Sequence, residues 1–291
     1  MTTLTERYFN HKLINHNGGH VELPPWYGLV GGETPNLKIP DPYTSESAQT
    51  YPIETVYRDF GRTFVYGKYD STLNSARTAG YGVVTTARYK DLANSGLVHS
   101  ATVLGGEVGD TDFTLNYATT CAVHKYAGGY LGAKGGSYFS CRILDNDVQD
   151  ASNYVHLYLD RALTVAVATT DDYVLMENPY AVMDWYITAD TAPYIGVTVC
   201  TMVASYWSWI QTWGIHMMCS TYNSFEGADR IQGVCFYHGS FQGFASATSG
   251  AIANSEVFGA CQIAGVFAAG SDPSSPADVS IAYPVYLMIR P

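Results

Sequence analysis

The groups in this chain that could act on a substrate or hold a metal are few and loosely spaced. His16-Asn17-Gly18-Gly19-His20, with His11 upstream, brings three imidazoles into one short stretch. A zinc pair on a helix needs both histidines on one face, and Gly-Gly between His16 and His20 breaks that geometry. Only Glu22 stands close enough to add a carboxylate, so these read as solvent-facing loop histidines. Asp145-Asn146-Asp147-Val148-Gln149-Asp150 offers oxygen atoms at alternate positions, as the start of a calcium loop does. It lacks the glycine at the sixth position and the distal glutamate, and reads as a polar hairpin connection. Asp171-Asp172 would serve a glycosidase only if two carboxylates faced each other across a sugar, and nothing in the sequence arranges that. Cys121, Cys141, Cys200, Cys219, Cys235 and Cys261 form no Cys-x-x-Cys pair, which reads as buried free thiols. The sequence has no Gly-x-Ser-x-Gly elbow, phosphate loop or His-Glu-x-x-His motif. Gly105-Gly106-Glu107-Val108-Gly109 lacks the dinucleotide spacing. We therefore assign no catalytic residue, no metal and no cofactor, and expect a protein that is not an enzyme.

What the chain carries in quantity is aromatic surface. Ile195 to Gly214 reads as two strands joined at a polar, small-residue turn. On the second, strict alternation sets Trp207, Trp209, Gln211 and Trp213 on one face and Tyr206, Ser208, Ile210 and Thr212 on the other. Three tryptophans on one face are a large apolar surface with directional N–H groups. Such a surface is buried in a core or against another subunit. We place Trp209 in the core and leave Trp207 and Trp213 as structural anchors or subunit contacts. A glycan platform of Tyr and Trp is the alternative use of the same residues.

The elements that must position these residues follow from composition and punctuation. The chain has 291 residues and is 47% hydrophobic but only 14% charged, with 24 Tyr and 28 Gly. That is a β-rich composition, well below the roughly 25% charge of an ordinary globular chain. A net charge of −11 with 15 Lys+Arg leaves little to neutralise phosphates, so no nucleic-acid partner is expected. No run of eighteen apolar residues predicts a membrane helix, and the polar stretch Met1 to His20 predicts no signal peptide.

Residues 1–55 are broken by Gly18-Gly19, Pro24-Pro25, Gly31-Gly32, Pro35, Pro40, Pro42 and Pro52. We read them as an extended N-terminal arm without helix or regular strand, ordered by laying Leu23, Trp26, Tyr27 and Leu29 on a surface. From Val56 strand signals recur. Arg62–Tyr69 alternates, and Tyr81–Tyr89 has the mixed pattern of a short helix. Strands are then expected at Ser100–Leu104, Asp112–Asn116, Tyr130–Ala133, Tyr138–Leu144, Tyr154–Leu159, Leu163–Ala168 and Tyr173–Glu177. A second set comprises Tyr194–Met202, Tyr206–Trp213, Ile215–Cys219, Ile231–Tyr237, Phe241–Ala245, Glu256–Phe267 and Ile281–Ile289. The fold class is all-β, with two barrel or sandwich domains.

Gly61-Arg62-Thr63-Phe64-Val65-Tyr66 comes first in a series of segments. Tyr126-Ala127-Gly128-Gly129-Tyr130-Leu131 follows, then Cys141-Arg142-Ile143, Leu159-Asp160-Arg161-Ala162-Leu163 and Glu177-Asn178-Pro179-Tyr180. Ile195-Gly196-Val197 through Trp209-Ile210-Gln211-Thr212-Trp213-Gly214 completes it. In this order the segments resemble virion structural proteins of tailed bacteriophages. The first strand, the turn after Gly196-Val197 and the final Gly259–Ile263 and Val285–Ile289 strands are similar to phage head-decoration (cement) proteins. Those have a β-tulip-like domain and sit on capsids as trimers.

The resemblance covers residues 56–291 in patches and implies that Arg62–Tyr66 and Trp207–Trp213 share a sheet. It therefore implies a main β-domain of 56–97 and 183–291 with 98–182 inserted as a second one, whereas sequence order alone equally allows consecutive domains. It further implies a location on the capsid outer surface, the major capsid protein as partner, and self-association as a trimer. Trp26, Tyr27 and Leu29 would be the capsid or subunit contacts, and deleting residues 1–50 would weaken attachment while leaving the β-domains folded. A glycan-binding fibre or tail module, and a virion hydrolase, are the alternatives.

Overall fold

The computed structural model describes residues 13–16, 19–24, 39–71, 73, 79–85, 106–116, 120–134, 138–167, 172–184, 194–219, 233–237, 240–243, 264–266 and 282–289. Among them there is no helix, and every strand ladder is antiparallel, so the protein is all-β. The strands in chain order begin with β1 (Leu13–His16), β2 (Gly19–Glu22), β3 (Val56–Asp59), β4 (Arg62–Lys68) and β5 (Gly82–Thr85). Next come β6 (Asp112–Asn116), β7 (Tyr130–Lys134), β8 (Tyr138–Asn146), β9 (Tyr154–Leu159) and β10 (Asp172–Met176). The last are β11 (Met183–Asp184), β12 (Tyr194–Thr198), β13 (Trp207–Cys219), β14 (Gly233–Tyr237), β15 (Ser240–Gly243), β16 (Ala264–Val266) and β17 (Ala282–Met288).

The chain divides into two compact units. One is centred on Ala87–Ala181, the other on Leu13–Glu22, Leu37–Thr86 and Val182–Pro291. The first contains a five-stranded sheet in the order β10-β7-β8-β9-β6. Alternation puts one face of it into a core of Phe113, Leu115, Leu131, Cys141, Ile143, Val155, Leu157, Leu159 and Leu175. Cys121 and Tyr126 before β7, and Leu163 and Val167 after β9, complete that core from irregular segments.

The second unit contains the larger sheet, with path β1-β2-β3-β4-β13-β17-β16-β14-β15. β12 pairs with both β13 and β5, and β5 also pairs with β11. Its central strands are buried on both faces, from Thr63 to Gly67 in β4 and from Ser208 to Thr212 in β13.

Four expectations are corrected. Residues 1–55 do contain regular strands, because β1 and β2 pair with each other along their length. His16 pairs with Gly19, and β2 then pairs with β3. Deleting residues 1–50 would therefore remove two strands of the larger sheet. Gly82–Thr85 is strand and not helix, since all four residues are buried against β11 and β12. Leu163–Val167 is not a strand. It is tied to the 106–110 segment by separate bonds, Leu163 N donating to Asp110 O (2.8 Å) and Val167 N to Gly106 O (2.7 Å). Gly214 does not end the tryptophan strand, which continues to Cys219. The expected strand Ser100–Leu104 lies outside the described residues.

Candidate functional site

The aromatic strand β13 is held by β4 on one side and by β12 and then β17 on the other. Opposite residues of an antiparallel pair share a face. Trp207 pairs with Lys68, Trp209 with Tyr66 and Gln211 with Phe64, so these six lie on one face. Trp209 is 2% exposed and edge-packs against Tyr51 (5.1 Å) and Tyr57 (6.0 Å), with Tyr66 tilted at 5.0 Å. Tyr51 belongs to the 39–55 segment that lies over this face. Burial, then the Glu46 charge, pushes its phenol up to about 12. Tyr66 donates to Glu46 Oε2 (2.8 Å) and accepts from Thr50 N (3.2 Å), and its phenol is also pushed up, chiefly by burial. Trp207 is half-buried. It stacks on Tyr66 with rings 6.0 Å apart and 10° from parallel, and Lys68 Nζ lies 5.0 Å from its ring centre. Its backbone exchanges two 2.8 Å hydrogen bonds with Glu46.

Trp213 departs from the sequence reading. Between Gln211 and Trp213 the register slips, so that Trp213 pairs with Thr63 next after Gln211 with Phe64. β13 spends one extra residue there, a β-bulge, and one residue of slip moves every later side chain to the other face. Trp213 therefore leaves the face of Trp207 and Trp209. By alternation Ile215 and Met217 share its face, while His216 returns to the face of Gln211. Two local features hold the bulge. Gln211 is 1% exposed and its Nε2 donates to Trp213 O (3.0 Å) and Ile215 O (2.9 Å). Gly214 sits at φ +90°, and a Cβ there would stand 2.5 Å from Gly61 O. Beyond the bulge Ile215 and Met217 are half exposed, at 53% and 52%.

Gly61 belongs to the β3–β4 hairpin turn that lies against Gly214. Asp59 pairs with Arg62, leaving Phe60 and Gly61 as the two turn residues, at φ +43° and +78°. Both being left-handed matches the primed hairpin turns that suit twisted strands. Asn, Asp or Gly usually fills the first of these positions, yet here it is Phe60, 82% exposed. Arg62 donates to Asp59 Oδ2 (3.0 Å) and to Tyr43 OH, and lies over the Phe64 ring at 5.4 Å. No motif search would have flagged Phe60. The available signal was a bulky residue before Gly61 where a hairpin had to close.

In the other unit, the Asp145–Asp150 segment ends β8 and leads toward β9, and its oxygens serve the chain itself. Asp145 Oδ1 stands 2.7 Å from His124 Nδ1 and accepts from Asn146 N (2.8 Å). Asn146, fully buried, accepts from Tyr126 N (2.7 Å) and donates to Ala122 O (2.9 Å) and Asp147 O (2.8 Å). Tyr158 OH donates to Asp147 Oδ2 (2.8 Å), and Asp150 Oδ1 accepts from Ser152 N and Tyr154 N (2.8 Å each). The pattern is that of a tied-down connection. His124 and Asp145 fix each other's geometry, and the neighbouring Cys121 thiol is pushed up by burial, away from the ionised form a nucleophile needs. Among the described residues no three His, Cys, Asp or Glu gather to hold a metal ion. Trp26, Tyr27, Leu29, His11 and Asp171 lie outside the described residues, and His20 pairs within β1-β2-β3. No protein-family model, no curated protein and no solved structure matches the chain.

Proposed function

We propose that this protein is a non-enzymatic structural component of a tailed-phage virion, binding the outer face of the major capsid protein lattice as a homo-oligomer, a trimer in the simplest form. In this reading its two sheets close as barrel or sandwich domains, and Trp26, Tyr27 and Leu29 of the N-terminal region contact the capsid or an adjacent copy. The observation that carries the reading is Phe60. A bulky side chain at φ +43° costs on the order of 1 kcal/mol, and 82% exposure gains nothing back inside the subunit. Burial of Phe60 in a neighbour would offset both costs, and the exposed Ile215 and Met217 extend the apolar surface beyond the adjoining Gly214. The buried side of the aromatic cluster is consumed in packing, which argues against an open Trp platform for sugar.

The test is Phe60→Asn. Asn tolerates the left-handed turn position, so the variant is expected to be more stable than the parent by about 1 kcal/mol in urea unfolding. It is also expected to lose attachment when co-sedimented with phage heads that lack the protein. Quantitative mass spectrometry of intact virions is expected to find a copy number on the scale of the capsid lattice. A handful of copies per virion, or undiminished attachment of Phe60→Asn, would overturn the reading.

A further inference from the structure

Just beyond the bulge, β13 carries a titratable group, His216, that bonds back to the bulge through one ring nitrogen. His216 Nδ1 lies 2.9 Å from Gln211 Oε1. The Gln211 amide nitrogen is committed to Trp213 O and Ile215 O, so its oxygen can only accept and His216 Nδ1 must carry the hydrogen. That leaves Nε2 as a lone pair, and it is buried without a hydrogen-bond partner among the described residues. Such a nitrogen is tolerable while neutral. Protonated, it becomes a buried N–H⁺ without an acceptor.

The surroundings oppose that charge. From β4 the group facing it is Arg62, whose own counter-ion is Asp59 of β3. The sequence of β17, paired along β13, contains no carboxylate, and those of β15 and β16 contain no titratable residue. No carboxylate of these strands is available to pair with an imidazolium.

We propose that His216 is a proton-operated latch. Neutral, it holds the bulge in the register that turns Trp213, Ile215 and Met217 to one face; protonated at Nε2 by solvent, it withdraws from Gln211 and frees the strand to slip. The Gln211 clamp and the Gly214 conformation exist only in the bulged register, and losing the imidazole removes one of the three hydrogen bonds of the Gln211 side chain. The ring is held down to about 4 by burial first and Arg62 second, which sets the range in which the latch opens. This inference does not rest on the capsid reading, and it stands or falls by measurements on the isolated chain.

Hydrogen exchange of Gln211–Met217 in the full-length protein tests it, with His216→Gln as the comparison and intrinsic rates corrected for pH. Gln keeps a donor for Gln211 but does not titrate. A closed pKa of about 4 and an open one of 6.5 raise the opening constant about 20-fold between neutral pH and about pH 5. The parent is expected to lose protection by that factor while His216→Gln stays level. Equal protection of the parent at both pH values, or an equal loss in both proteins, would overturn the latch. If His216→Gln does not fold, the parent decides alone. Nitrogen-15 NMR is expected to show the Nδ1–H tautomer of His216 persisting well below pH 6.5, and an ordinary titration midpoint near 6.5 would overturn the proposal.

Discussion

At the scale of single residues, three tryptophans that look equivalent in the sequence do three different jobs. Trp209 is enclosed by Tyr51, Tyr57 and Tyr66, so truncation leaves a large cavity with no freedom to collapse. Trp209→Ala is expected to cost about 3–5 kcal/mol in urea unfolding. Trp207 has one ring face on Tyr66 and Lys68 nearby, and Trp207→Ala is expected to cost about 1–2 kcal/mol. Equal losses in the two variants would show that the cluster does not pack as described. Trp213 lies across the sheet from both. The cysteines were legible in kind. Cys121, Cys141 and Cys200 are buried free thiols, and burial pushes Cys141 up to about 12. The partners of Trp209 were not legible, because Tyr51 arrives from a Pro-rich segment that has no periodicity to announce it.

At the scale of elements, β13 shows where pattern reading succeeds and where it stops. Its aromatic alternation marked it as a strand from Tyr206 onward, and its pairing with β4 keeps that alternation as far as Gln211. Past that point a period of two says nothing, since one inserted residue reverses both faces without changing composition. Gly214 falls between two expected strands, Tyr206–Trp213 and Ile215–Cys219, whereas its φ of +90° lets a single strand run on. Gly214→Ala is therefore expected to destabilise by more than about 2 kcal/mol, combining the left-handed φ with a Cβ driven into Gly61 O. Thermal unfolding checks this, and a neutral Gly214→Ala would contradict the bulge geometry. The same limit applies at β1 and β2. Four-residue strands around Asn17-Gly18 carry too little pattern to stand out among prolines and glycines, and they form because β3 offers them a ladder.

At the scale of the whole molecule, buried titratable groups bound the pH range in which the fold is most stable. His216 lies below its ordinary value in the folded chain, so the unfolded chain takes up the proton first as pH falls. Its contribution is full above about 6.5 and is lost as pH drops toward about 4, amounting to about 3 kcal/mol. Tyr51, Tyr66 and Tyr69 are raised, mainly by burial, so their contribution is full below the ordinary value of 10.0 and is lost as pH climbs beyond it. Urea midpoints across pH are expected to form a plateau with a fall on each side. His216→Gln is expected to flatten the acid side alone, and an unchanged acid fall in that variant would contradict the assignment. The sequence by itself determined that the molecule is built of strands, where most of them run, and that Cys121, Cys141 and Cys200 are buried thiols. Those properties follow from local propensity and from alternation over five to nine residues. Only the tertiary structure decided which face Trp213 takes, that Phe60 stands in solvent at a left-handed turn, and that His216 keeps a buried nitrogen without a partner among the described residues. Each of these depends on contacts between β13 and segments some 150 residues earlier in the chain, and a bulge or an unfilled hydrogen bond leaves no periodic trace to read.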